Sequence, residues 1–576
     1  MTEHDLCEIK ARRSAYLVFA LIALALTAGR ISVVTGRDGT TAFLSANDRS
    51  RWCTVASLVE HGTYAIDSQI EIVDPVRRHI RPWQTIDKVR HLGADDKQHY
   101  YSSKPPLFPT AVAGIYKVVN VVTGMTLTDQ PIYLTRILLT LVNLPLLALF
   151  FFATMGCIER IGKDDWSKRM AALGCCFGTM LLPFTISLNN HLPAATATAV
   201  VAWIYLVATG GIGNANSAAS TCGGSKKLKL NGPDASGSGS SGSGSSGSGS
   251  SGSGSQRRSH VVLYLLAGAG SALAAANELP ALSMLVFWFG LFAWATRASV
   301  LPFAAGVAIV ALGFFGTNWL AHQTLRPPYA HRGNGSTIAV LDSLEAGSTE
   351  PDESIIKEVQ TRLREVGLVA STDEIQVTAS DEAARWIVRS DERQFALLLK
   401  ENRWSVASWD DWYEYPNTYW KDGVRRGVDQ GEPSKLVYLT QMTFGHHGLF
   451  SLTPMWLLVP VGLLAGVLRG PPESRRLVLA ISVASIVCFL FYLNRPLIDR
   501  NYGGVSVCFR WLLWFAPLWL LVITPVMAWF GTTPTRRGTL YVMLALSVFS
   551  MSASLESPWQ SPWLYRFWQF LGWLGT

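Results

Sequence analysis

The sequence predicts an all-α polytopic membrane protein of about eleven transmembrane helices, with an interfacial helix and a small mixed domain on the outer side. Three observations carry this. Of 576 residues, 49% are hydrophobic and only 16% are charged, against about a quarter charged in an average soluble domain. The apolar residues fall in blocks of about 20 with almost no charge inside, the length a helix needs to cross a bilayer. Lys and Arg recur in alternate loops, the bias that orients membrane proteins. A wholly soluble protein, a disordered chain and a disulfide scaffold are excluded. The net charge of +8 reports topology here, so no nucleic-acid partner is expected.

The first block, 14–34, follows Lys10, Arg12 and Arg13. It is long and no small-residue cleavage site stands out after it, so 1–34 is a cytoplasmic N-terminus with a retained span rather than a signal peptide. Residues 35–131 make a first outer loop. Within it, 105–123 are apolar but contain Lys117. A crossing there would place the Arg160–Arg169 loop outside, so this helix lies at the outer interface with Lys117 reaching water.

Residues 132–320 hold spans at 132–154, 170–188, 192–210, 260–276, 279–296 and 299–320. Residues 321–448 form an outer soluble domain with helical stretches near 351–367, opened by Pro351-Asp352-Glu353, and near 379–402. Its stretch 404–420 is rich in Trp and Tyr, which favour the headgroup zone. Residues 449–555 hold spans at 449–468, 477–493, 511–530 and 539–555, and 556–576 form a Trp-rich outer tail.

Counting from a cytoplasmic start places loops 156–169, 211–259, 297–298, 469–476 and 531–538 inside, and each carries Lys or Arg. Residues 236–255 repeat SGSGS four times, a flexible composition that packs no core. The eight cysteines show no metal-ligand spacing; Cys53 and Cys508 are the loop pair for which a bridge is conceivable.

The chemistry-bearing residues gather on the outer side of this topology. Asp48, in Asn47-Asp48-Arg49-Ser50-Arg51-Trp52, is a carboxylate able to take a proton or to cap the helix running to about Glu60. Lys104, in Tyr100-Tyr101-Ser102-Ser103-Lys104-Pro105-Pro106-Leu107, is stiffened by two prolines at headgroup depth, placed to meet a lipid phosphate or to snorkel. Asn189-Asn190-His191 and Asn277-Glu278 occupy tight outer turns. His446 and His447 lack a metal-ligand pattern, so no metal is expected. Arg510, after Asn501-Tyr502-Gly503-Gly504, and Arg136 offer guanidinium forks suited to phosphate or to anchoring helix ends.

Asp48-Arg49-Ser50-Arg51-Trp52, then Gly62-Thr63-Tyr64, then Lys104-Pro105-Pro106-Leu107 resemble the motifs of the GT-C superfamily of polytopic glycosyltransferases, in the protein O-mannosyltransferase and aminoarabinose transferase type. The likeness covers about residues 1–210 and weakens beyond, where Gly503-Gly504 through Arg510 resembles a Gly-rich outer loop of bacterial relatives. Two departures stand out: Arg49 replaces the second acidic residue of the usual pair, and Asn189-Asn190-His191 stands where another Asp is common.

The resemblance implies inverting transfer of a sugar from a polyprenyl-phosphate donor to a glycan, lipid or protein acceptor, with no further cofactor. It implies Asp48 as general base and Lys104, Arg510 and Arg136 as donor-phosphate ligands. His191, Asn190, Glu278, His446 and Tyr101 would line the sugar or acceptor pocket, in a bacterial inner membrane. Two alternatives stand beside this: a lipid or solute transporter or flippase, and an inactive GT-C-like scaffold.

Overall fold

The computed structural model describes residues 3–210, 252–341, 350–370, 372–380, 382–421 and 423–574. Its first helix, Glu3–Val33, runs against Pro131–Ile161, and side chains pin the pair at both ends. At one end Arg12 Nε donates to Glu159 Oε1 at 2.6 Å, and the same guanidinium reaches Asp165. At the other end Arg136 Nε donates to Val34 O at 3.0 Å.

Seven helices among the described residues are long and apolar enough to cross a membrane: Cys7–Val33, Pro131–Ile161, His191–Ala208, His260–Asn277, Arg297–His322, Ser474–Leu493 and Arg510–Phe530. The other expected spans take different forms. Leu279–Ala295 and Pro454–Arg469 are shorter apolar helices, and Pro534–Ser552 carries Arg536 and Arg537 in its first turns. Residues 170–188 are no continuous helix. They form Asp165–Leu173, a π turn at Gly174–Gly178 and a 3-10 turn at Leu182–Ile186. Pro183 removes a donor there, and Gly178 lets Met455 approach so closely that a Cβ would sit 2.7 Å from its sulfur. The broken backbone is partly satisfied by Asn143 Nδ2, which donates to Thr185 O at 2.7 Å and Ser187 O at 3.1 Å.

The segment expected at the interface forms helix Leu107–Thr123. Val112, Ala113 and Tyr116 pack with Trp52, Val55 and Ala56 of helix Ala46–Glu60, while Val118, Val121 and Val122 stay exposed. Most of the Gly/Ser repeat lies outside the described residues; its last four residues begin helix Gly252–Asn277.

Strands β1 (Lys88–Leu92) and β2 (Gln98–Ser102) form an antiparallel hairpin. The 321–448 region holds β3 (Asn334–Leu341), β4 (Ile375–Ala379), β5 (Arg385–Ser390), β6 (Arg393–Lys400) and β7 (Arg403–Trp409) in the order β3-β7-β6-β5-β4. Helix Glu353–Glu365, capped by Asp352, covers one face through Ile355, Val359 and Leu363. The expected helix over 379–402 is corrected to hairpins. Phe395 and Leu397 face that helix while Ala396 and Leu398 pack in a second cluster, a period of two. The chain reverses at Asp391, Glu401 and Asn402, all at positive φ.

Cys53 and Cys508 are free and buried, so no bridge joins them.

Candidate active site

Helix Ala46–Glu60 starts at Ser45, whose Oγ accepts the Asp48 amide at 3.0 Å. The Asp48 side chain turns inward and is 0% exposed. Its Oδ2 accepts Leu44 N at 3.0 Å and its Oδ1 accepts Leu188 N at 2.9 Å. It thereby ties the first loop to the end of the broken segment. Burial outweighs these two bonds and pushes its carboxyl up to about 6.

Arg51 lies three residues on, on the same helical face. It donates to Asn47 O at 3.1 Å and to Asn190 Oδ1 at 2.9 Å. Asn190 passes the connection on, donating through Nδ2 to Glu278 Oε1 at 2.7 Å and to Asn277 O at 2.8 Å. The same Glu278 oxygen lies 2.6 Å from His191 Nδ1. On the far side of the imidazole, Arg510 Nη1 lies 2.7 Å from His191 Nε2. A guanidinium only donates, so Nε2 accepts and the ring proton is assigned to Nδ1, towards Glu278.

Arg510 is held by its own loop. Its Nε donates to Gly503 O at 2.7 Å, and its guanidinium lies 4.8 Å from the Trp559 ring centre. Gly503 has φ +96, and a Cβ there would collide with the Arg510 side chain. Asn501 Oδ1 accepts the amides of Gly503 and Gly504 at 2.9 and 3.2 Å.

Lys104 arrives from the β1–β2 hairpin. Lys88 pairs with Ser102, and Ser103 N donates to Asp87 O at 3.2 Å, so the residues flanking the open end of the hairpin are brought together. Lys104 Nζ lies 3.2 Å from Asp87 Oδ2. Ser50 of the Asp48 helix donates to Asp87 O at 2.5 Å, which docks the hairpin on that helix. Burial lowers the Lys104 ammonium; Asp87 opposes the fall, and Arg51 and Arg510 add to it. Arg51 is pushed down to about 10, chiefly by burial and then by Arg510.

A fourth carboxylate comes from the 427–430 turn. Tyr419 donates to Asp429 Oδ2 at 2.9 Å, and burial raises the Asp429 carboxyl, with Asp87 adding to the rise.

Six expected residues thus meet at one end of the bundle: Asp48, Lys104, Asn190, His191, Glu278 and Arg510. Three do not join them directly. Arg136 clamps helix ends, adding a 3.0 Å bond to Thr35 Oγ1. Tyr101 stacks on His91 with ring centres 4.2 Å apart, in a separate cavity of about 470 Å³ with His322 and Asp67. His446 sits 2.5 Å from His447 (Nδ1 to Nδ1), and His447 stacks on Tyr502 at 4.0 Å, so the pair backs the 501–510 loop. Burial pushes His446 down to about 4.

Arg51, Asp87 and Asp429 are absent from the sequence-derived set. The spacing of Arg51 from Asp48 on a helix was a usable signal. Asp87 and Asp429 sit in loops without motif.

No family model matches the chain, and no curated protein matches it. Among solved structures it is similar to the Archaeoglobus fulgidus oligosaccharyltransferase. The form with Zn and sulfate aligns at TM-score 0.44 and 11% identity, over 96% of this chain and 55% of that one. The complex with an inhibitory peptide and a dolichol-phosphate aligns at TM-score 0.42 and 10% identity, over 97% and 57%. The chain therefore spans little more than half the length of that enzyme. A likeness at this level assigns no residue a role.

Proposed function

We propose that this chain is a membrane glycosyltransferase of GT-C type that moves a sugar from a polyprenyl-phosphate donor to an acceptor, at the side of the membrane facing the Asp48–Arg510 end. One observation carries the proposal: Arg51 and Arg510 are buried and Lys104 is four-fifths buried, and both arginines disfavour the Lys104 ammonium while Arg510 disfavours the Arg51 charge. An incoming phosphate relieves that crowding, and it does so more as negative charge develops on the leaving group. Asp87 holds the Lys104 ammonium until a phosphate arrives.

Two carboxylates compete for the base. Asp48 keeps the sequence-derived assignment, and a pKa near the working pH suits proton exchange. Asp87 is the second reading, favoured by its contact with Lys104 and by its 8% exposure against 0% for Asp48. The 321–448 domain, joined to the hairpin through Arg90 N donating to Trp412 O at 2.8 Å, supplies the acceptor side.

The test is turnover of a radiolabelled polyprenyl-phosphate sugar in membranes carrying wild type, Asp48→Asn or Asp87→Asn. Wild type consumes the donor. Loss in Asp87→Asn alone places the base there, and loss in Asp48→Asn with an unchanged fold places it at Asp48. No consumption by wild type removes the proposal.

A further inference from the structure

The opposite end of the bundle carries a feature that the sugar-transfer proposal leaves unused. A cavity of about 910 Å³ opens between helices Pro454–Arg469, Pro472–Leu493 and Arg510–Phe530. Its walls are largely apolar, with Leu458 and Leu521 buried and Ala465 half-buried among the lining residues. Its mouth is lined by Arg160, Lys163 and Arg469. Lys163 and Arg469 are exposed, and Arg160 donates to Gly156 O at 2.9 Å.

Three acids near this end are already engaged, Asp164 by the Ser167 amide and hydroxyl. Glu159 pairs with Arg12 and Lys168, and Asp165 pairs with Arg12 and Arg169. Among the described residues, none of the three mouth cations has an acidic side chain within ion-pair distance. The depth is informative as well. From Leu458 to Arg469 a helix rises about 17 Å. One leaflet of a hydrocarbon core about 30 Å thick is of similar depth. The cavity is therefore as deep as one acyl layer, and its cations lie where a headgroup phosphate would sit.

We infer that this cavity is a binding site for an anionic glycerophospholipid, one acyl chain filling the apolar slot and the headgroup phosphate held by Arg160, Lys163 and Arg469. Basic pockets between transmembrane helices on the Lys/Arg-rich side capture anionic headgroups in this way. The site lies at the far end from Asp48, so it is distinct from the proposed donor pocket and does not depend on it.

The test is native mass spectrometry of the full chain released from mixed phosphatidylglycerol and phosphatidylcholine nanodiscs. Wild type should retain phosphatidylglycerol over phosphatidylcholine. Lys163→Gln with Arg469→Gln should cut phosphatidylglycerol retention about 30-fold and leave phosphatidylcholine unchanged. Ala465→Phe, which fills the slot, should reduce retention of both. The two exposed charges make no hydrogen bond that folding needs, so the double variant reports even where Ala465→Phe fails to fold. Undiminished phosphatidylglycerol retention in the double variant would overturn the inference. Polyprenyl phosphate displacing phosphatidylglycerol at equal concentration would overturn it too, by giving the site to a carrier lipid.

Discussion

Arg510 and His191 lie 319 residues apart in sequence, yet Arg510 Nη1 donates to His191 Nε2 at 2.7 Å. The bond joins the last part of the chain to a short turn in its first half. Through Glu278 and Asn190 it continues to Arg51, so four separate segments set the position of one guanidinium. Removing the buried acid from this chain takes one counter-charge away from Arg51 and Arg510 and leaves His191 and Asn190 without their acceptor. Glu278→Ala should destabilise the protein by about 3 kcal/mol or more, read as a lowered unfolding temperature in detergent. An unchanged melting curve would mean the pairing contributes nothing.

In the proposed reaction Lys104 stabilises charge on a departing phosphate. Lys104→Gln should lower kcat/KM for donor turnover about 100-fold, the scale seen when one stabilising donor is removed. Lys104→Arg should recover part of it. A variant with wild-type kinetics would assign Lys104 to packing.

Gly503 gives Arg510 room. Its φ of +96 and the close Arg510 side chain make Gly503→Ala strained twice over. The variant should lose turnover by displacing Arg510, with a smaller loss of thermal stability. Retained turnover would show that the guanidinium position is not critical.

Asp48 predicts a pH signature. Its folded pKa of about 6 stands above the usual unfolded value of about 3.9. Between those values the folded state binds more protons, so this residue's contribution to stability falls as pH rises from about 4 to 6, by up to roughly 3 kcal/mol. The difference in unfolding temperature between wild type and Asp48→Asn should change across that window and level off above it. A constant difference would contradict the buried, raised carboxyl.

Arg136 separates anchoring from catalysis. Arg136→Ala removes its bonds to Val34 O and Thr35 Oγ1 and should cost about 1 kcal/mol of stability. A fall in kcat/KM without loss of stability would instead return it to the donor phosphate.

Much of this site was legible in the sequence because membrane topology is written in charge. Lys and Arg bias put Asp48, Lys104, His191, Glu278 and Arg510 on one expected side, and the fold brings these residues together at one end of the bundle. Other parts depend on tertiary geometry. Asp87 reaches Lys104 because β1 and β2 close a hairpin beside it, and Asp429 arrives on a turn after a separate domain. The 379–402 error came from reading dense apolar residues as a helix when Phe395 and Leu397 alternate with Ala396 and Leu398. The 170–188 error came from apolarity that outvoted Gly174, Gly178 and Pro183.

The central claim is that Arg51, Lys104 and Arg510 form a pocket for a lipid phosphate. Its most direct test is binding of polyprenyl phosphate to the purified full chain in uncharged nanodiscs, comparing wild type with Lys104→Gln. The account predicts saturable binding by wild type, weakened at least about tenfold in Lys104→Gln. Equal binding by both proteins, or none by wild type, would contradict it.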